Sequence, residues 1–111
     1  MPTQVKPIKI TEENFSDLVL KNRKLVIVDF WAVWCIPCLI MGKTLKKITP
    51  LLAGRALIGK VNVDLNRNLS GQYGIRAIPC LIVFRDGKEV GRIIGAMGQA
   101  SLIEQLEPYL K

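Results

Sequence analysis

Cys35-Ile36-Pro37-Cys38 is the stretch of this 111-residue chain whose residue types and spacing carry chemistry. Two thiols separated by two residues can close on each other, so such a pair shuttles between dithiol and disulfide. The same spacing is also half of a zinc site. Context favours the first reading. The apolar run Leu25-Val26-Ile27-Val28-Asp29-Phe30 leads into the tetrad through Trp31-Ala32-Val33-Trp34, and a helical pattern follows it. The first thiol is therefore expected where a strand ends and a helix begins. Unpaired backbone N–H groups and the helix macrodipole favour an anion there, which lowers a thiol's pKa and raises its thiolate fraction. The thiolate is the form that attacks disulfides. The tetrad thus reads as the centre of a thiol–disulfide oxidoreductase. Pro37 suits the first helical turn, where its missing N–H has no partner to lose. Asp29 is the one ionisable residue in the preceding strand, and burying it would be costly without a purpose. The blander reading makes Asp29 a cap for the following loop, and makes Cys38 simply a buried cysteine.

The elements that must position these residues can be read from the patterning. Val5 to Ile10 predicts a short strand, and Pro7 within it places that strand at a sheet edge. Thr11 is a good N-cap for a helix from about Glu12 to Leu20, with Glu12 and Glu13 well placed for the dipole. Leu25 to Phe30 is a continuous apolar strand suited to a central position covered on both faces. The next helix is expected from Cys35 toward Leu52, with Gly42 weakening it and Pro50 kinking or ending it near Thr49. Ala56 to Val63 predicts a strand, and Asn68 to Tyr73 a short helix closed by Gly74. Cys80 to Phe84 and Glu89 to Ile94 flank Asp86-Gly87, a strong hairpin signal. Ala100 to Leu110 closes the chain as an amphipathic helix with Leu102, Ile103, Leu106 and Leu110 on one side. The order βαβαβαββα predicts an α/β fold with a mixed central sheet and helices on both faces. The length suits one domain, residues 1–111.

The chain resembles the thioredoxin family over nearly its whole length. The resemblance is carried by Val28-Asp29-Phe30-Trp31-Ala32, Trp34-Cys35-Ile36-Pro37-Cys38, Lys60-Val61-Asn62-Val63-Asp64, Tyr73-Gly74-Ile75-Arg76-Ala77-Ile78-Pro79, the Asp86-Gly87 hairpin and Gly95-Ala96. It implies the thioredoxin fold and reduction of protein disulfides. It makes Cys35 the attacking thiol and Cys38 the resolving one. It sets Asp29 beneath the disulfide, where it helps take the proton from the resolving thiol, with Lys60 as its neighbour. It makes Pro79 a cis-proline facing the sulfurs. Ile78, Trp34, Ile36, Pro37, Gly95 and Ala96 would then frame an apolar groove for an extended substrate segment. Trp31 reads as packing. The implied partners are disulfide-containing protein substrates and an upstream reductase resembling thioredoxin reductase.

Three positions depart from the family. Ile36 replaces the usual glycine between the cysteines, which stiffens the backbone and implies a shifted reduction potential of unassigned direction. Cys80 follows Pro79 where threonine is usual; it is either a tolerated small residue or a third thiol near the pair. Lys43 stands where a proline bends the second helix. A metal or iron–sulfur module built on Cys35, Cys38 and Cys80, and a disulfide oxidase or isomerase, are the competing readings. With three thiols and no histidine, one chain falls short of the four ligands of structural zinc, so no metal and no cofactor is expected.

The charge balance is +7. Five cations and no acid fall between Phe30 and Val63, three of the cations being Lys43, Lys46 and Lys47 on one helical face. This reads as a solvated helix face, with a docking patch for an acidic partner as the sharper alternative. No aromatic residues interleave with the charges, so a nucleic-acid partner is not expected. No apolar run is long enough to span a membrane. The start, Met1-Pro2-Thr3-Gln4-Val5-Lys6-Pro7, lacks the apolar core of a secretory signal. The expectation is a cytoplasmic monomer with no membrane partner.

Overall fold

A computed structural model describes residues 4–111; Met1 to Thr3, at the head of the stretch read as lacking a signal, lie outside the described residues. The elements are β1 (Ile8–Lys9), β2 (Leu25–Trp31), α1 (Ile36–Leu52), β3 (Ala56–Asn62), α2 (Arg67–Gln72), β4 (Cys80–Arg85), β5 (Lys88–Ile94) and α3 (Gln99–Leu110), with a single π-helical turn at Ser16–Leu20 between β1 and β2. The five strands form one sheet in the order β1-β3-β2-β4-β5. β1 and β2 run parallel to β3, whereas β4 is antiparallel to both β2 and β5. The sheet is therefore mixed, as the element order predicts. β2 lies at its centre and is buried along its length, apart from a half-buried Trp31.

Strand alternation divides the core in two. Leu25 and Ile27 of β2 face Met41, Leu45, Ile48 and Leu52 of α1 and Leu102 and Leu106 of α3. Val26, Val28 and Phe30 face the other way, toward Phe15, Val19, Leu69, Ile82 and Phe84. On α1 the buried residues Cys38, Met41, Leu45, Ile48 and Leu52 recur every three or four positions, so one stripe of the helix lies on the sheet. The second core is aromatic. Phe84 meets Phe15 and Tyr73 edge-on, with centroids 5.7 and 5.5 Å apart, a geometry favoured by ring quadrupoles.

Two expectations about helices are corrected. The segment after Thr11 is not an α-helix to Leu20 but a turn followed by the π-turn Ser16–Leu20, closed by Lys21 N–H to Ser16 C=O at 2.9 Å. Thr11 does not cap it. Instead the Asn14 side chain accepts the Thr11 N–H at 2.8 Å and donates to the Lys9 carbonyl at 3.2 Å, which closes the first turn locally. Glu12 serves a different helix. Its carboxylate accepts the Leu69 N–H in the first turn of α2 at 3.0 Å, while Asn66 Oδ1 accepts the Glu12 N–H at 3.0 Å.

The second correction concerns Pro50, which does not end α1 near Thr49; the helix runs on to Leu52. The N–H that proline lacks would have bonded to the Lys46 carbonyl one turn back. Both residues lie on the exposed side of α1, where water can satisfy that carbonyl. The hairpin was legible as it stands: Asp86 and Gly87 have φ of 51° and 76°, the left-handed pair of a type I′ turn.

Candidate active site

Cys35 is the N-cap of α1, in extended conformation at φ −94° and ψ 106°, and Ile36 and Pro37 open the helix. Cys35 and Cys38 are disulfide-bonded with Cα atoms 5.2 Å apart. The Cys35 Sγ accepts the backbone N–H of Cys38 at 3.2 Å. The sulfur thus takes the place of the oxygen that a serine or aspartate supplies as an N-cap. That position stabilises a thiolate through a directed N–H and through the positive end of α1. Both cysteines are buried, in a small cluster with Ala32 flanked by Trp31, Val63 and Ile78.

Asp29 lies on the central strand β2 and is fully buried. Neither carboxylate oxygen has a hydrogen-bond partner. Burial pushes its pKa up to about 7, with the positive charge of Lys60 pulling in the opposite direction. By alternation Asp29 shares the sheet face of Leu25 and Ile27, which is the face under α1. Lys60 is its register partner on β3. The ammonium does not bond to the carboxylate; Nζ lies 4.1 Å from the centroid of the Trp31 ring, a cation–π contact. On its other side is Gly42 of α1, where an added Cβ would stand 3.5 Å from Lys60 Nζ. That is an ordinary van der Waals distance, so the lysine packs over the helix backbone at Gly42 without requiring a glycine there.

The loop before β4 approaches the sulfurs from the far side. The Ile78–Pro79 peptide is cis, as the resemblance implies, and the Ile78 carbonyl oxygen is 3.9 Å from Cys35 Sγ. Gly95 donates its N–H to the Pro79 carbonyl at 3.0 Å. Thr44 of α1 donates its hydroxyl to the Met97 carbonyl at 2.8 Å, which ties the Gly95-Ala96 turn to the helix carrying the cysteines. Trp34, Ile36 and Pro37 are exposed at the rim, and Trp34 Nε1 donates to Asp64 Oδ2 at 2.8 Å.

Cys80 is the exception among the residues singled out by the sequence. It packs in the aromatic core with Phe30, Ile82 and Phe84, on the opposite face of the sheet from Asp29 and α1. It is a free thiol whose pKa is raised, first by burial. Among the described residues no group of three His, Cys, Asp or Glu side chains lies close enough to hold a metal ion. A three-thiol site of Cys35, Cys38 and Cys80 is thus not assembled. Sequence reasoning missed Asp64 and Thr44 as positioning groups. Asp64 stands within a motif that the resemblance carried; nothing local marked Thr44.

A redox-active cysteine pair at a helix N-terminus, over a buried carboxyl and beside a cis-proline loop, defines a thiol–disulfide oxidoreductase of the thioredoxin fold. Comparison with known proteins agrees. The thioredoxin family model matches residues 6–108. The chain is 37% identical over 105 residues to the thioredoxin of Chlorobaculum thiosulfatiphilum, covering 95% of this chain and 97% of that one. It is 40% identical over 99 residues to the thioredoxin of Mycobacterium bovis, covering 89% and 85% of the two chains. A solved structure of a mutant thioredoxin from Halobacterium salinarum NRC-1 superposes with a TM-score of 0.87 at 27% identity, covering all of this chain and 96% of that one. The chain belongs to the thioredoxin family and is a protein-disulfide oxidoreductase.

Proposed function

We propose that this protein reduces disulfides in other proteins, with Cys35 as the attacking thiol and Cys38 as the resolving one. The observation that carries the assignment is the Cys38 N–H directed at Cys35 Sγ at the start of α1. Of the two sulfurs it is Cys35 that receives this stabilisation as a thiolate. The Cys35 thiolate attacks one sulfur of the substrate disulfide. A mixed disulfide forms, and the other substrate sulfur leaves as a thiolate that takes a proton. Cys38 then gives up its proton and attacks the Cys35 sulfur, expelling the second substrate thiolate. Two electrons have passed to the substrate, and the protein is left with the Cys35–Cys38 disulfide.

Asp29 is the acceptor for the Cys38 proton in this reading. A carboxyl titrating near 7 can take a proton and return it at neutral pH. Lys60, held on Trp31, biases that titration through space. Ile78, Pro79, Gly95 and Ala96 on one side, with Trp34, Ile36 and Pro37 on the other, form the groove for an extended substrate segment, which pairs with the backbone beside Pro79. The proposed electron source is a reductase of the thioredoxin-reductase type, as family membership suggests. One chain supplies both thiols, the carboxyl and the groove, so a monomer of one domain, residues 1–111, suffices. Among the described residues no helix is long and apolar enough to cross a membrane, and we place the protein in the cytoplasm as part of the same proposal.

The test is turnover of insulin disulfides with dithiothreitol as donor. Wild-type activity that disappears in Cys35→Ser is the expected result. A folded wild-type protein that fails to reduce insulin would remove the assignment.

A further inference from the structure

The solvent face of α1 is divided along its length. Its first half is apolar: Ile36, Leu39 and Ile40 are 69%, 47% and 52% exposed. Their i, i+3, i+4 spacing puts them on one side of the helix, next to the exposed Val33 and Trp34 that lead into Cys35. Its second half is cationic: Lys43, Lys46 and Lys47 are exposed at the same spacing and continue the stripe. No acid lies between Phe30 and Val63 to offset them. The ion pairs among the described residues, Lys21–Asp17 and Arg92–Glu89, leave all three lysines out. Asp64, the acid that follows that stretch, is engaged by Trp34.

A solvated lysine face needs no apolar neighbours, and scattered apolar residues on a surface need no explanation. A contiguous apolar patch does, and this one runs from the redox pair directly into three lysines that no ion pair among the described residues engages. A second copy of the chain would bring like charges together on the stripe. The backbone of a nucleic acid would satisfy the lysines but meet the apolar half with phosphates. The chemistry that fits both halves is a protein surface with an apolar stretch and carboxylates beyond it.

We infer that the exposed stripe of α1 from Ile36 to Lys47 docks acidic protein substrates and so selects which disulfides reach Cys35. The inference rests on the disulfide-reductase reading above and names its substrate class. With a rise of 1.5 Å per residue, Lys43 and Lys47 stand about 12 and 18 Å along the helix from Cys35. A matching substrate carries Asp or Glu side chains at about that distance from its disulfide, with apolar surface between. Short peptides and small disulfides do not reach the lysines and gain nothing from them.

The test uses two disulfide-closed helical hairpins of identical sequence, except that one carries four glutamates about 12–18 Å from its disulfide and the other carries glutamines there. Hydroxyethyl disulfide serves as a small neutral control for the wild type. Their second-order rates of reduction by the prereduced protein are compared at low and high salt. The expected result is a preference of roughly tenfold for the glutamate hairpin at low salt, largely lost at high salt. K43E/K46E/K47E should reverse the preference, and the milder K43Q/K46Q/K47Q should abolish it. Equal rates on the two hairpins, with hydroxyethyl disulfide reduced normally, would overturn the docking surface and leave the reductase reading intact. Failure to reduce all three disulfides would overturn both.

Discussion

The two faces of the sheet bury cysteine in opposite ways. Under α1, the Cys35 sulfur sits at a helix N-terminus with an N–H aimed at it, and a partnerless carboxyl lies in the same layer of the sheet. On the other face, Cys80 packs with Phe30, Ile82 and Phe84, and burial pushes its thiol pKa up against the pull of Arg92. Both cysteines are largely buried, so burial alone does not make a thiol reactive or inert. The difference lies in the backbone dipoles around it. A helix terminus substitutes for water around a thiolate, whereas aromatic rings do not. On one face the helix terminus favours the thiolate; on the other, burial outweighs the pull of Arg92 and favours the thiol.

The sharpest way to break this contrast is to remove one sulfur from each face. Cys35→Ser should lower insulin reduction at least about a thousandfold, because the nucleophile is gone. Cys80→Ser should change the rate by less than about twofold. A large loss in the second variant would erase the distinction between the faces. Phe84→Ala sharpens the comparison from the packing side. It removes a ring that contacts Phe15 and Tyr73 and should destabilise the protein by about 3–5 kcal/mol, measured by urea unfolding. The disulfide-exchange rate of the folded fraction should stay unchanged.

The buried carboxyl offers a third test, with opposite sign. Asp29 ionises near 3.8 when unfolded and near 7 when folded. Between those values the unfolded state releases its proton first, so ionisation favours unfolding. Its contribution is fully present below pH 3.8, is lost progressively as pH rises to about 7, and changes no further above that. Asp29→Asn should therefore stabilise the oxidised protein by up to about 4 kcal/mol at pH 8 and flatten this part of the pH–stability curve, while slowing the resolving step. A variant less stable than wild type at pH 8 would show that the carboxyl has a partner in solution. The smallest expected effect belongs to the link between the Thr11 turn and α2: Glu12→Ala should cost about 1 kcal/mol through loss of the Leu69 cap, without altering the redox rate.

What could be read from the sequence followed the same division. The site announced itself because its chemistry is local: two cysteines three positions apart, a proline between them and one acid in an apolar strand. β2, α1 and the Asp86-Gly87 hairpin were legible for the same reason, since periodicity and turn preference act over a few residues. Interactions distant in sequence were not legible. Glu12 reads as a helix-start residue for its own segment but caps α2 across 57 positions. Lys60 is the register partner of Asp29 yet rests on Trp31, because a flexible ammonium settles on the ring face within its reach. The placement of Cys80 away from the pair lay within reach of the strand's alternation, since Cys80, Ile82 and Phe84 share a face.

The tip of the β4–β5 hairpin has a bearing on how this protein can be engineered. Hairpin tips are common places to graft a tag or a reporter. Here a single added carbon at Gly87 would stand 2.2 Å from the Leu20 carbonyl oxygen, so the tip is pressed against the turn that precedes β2. A foreign segment spliced there would pry that turn away from the sheet. Gly54, between α1 and β3, has a φ of +90° and nothing within 4 Å of where a Cβ would go. It also follows the far end of a 17-residue helix from the cysteines, a separation of about 25 Å. A fluorescent or affinity module inserted after Gly54 would leave the thiols free to work.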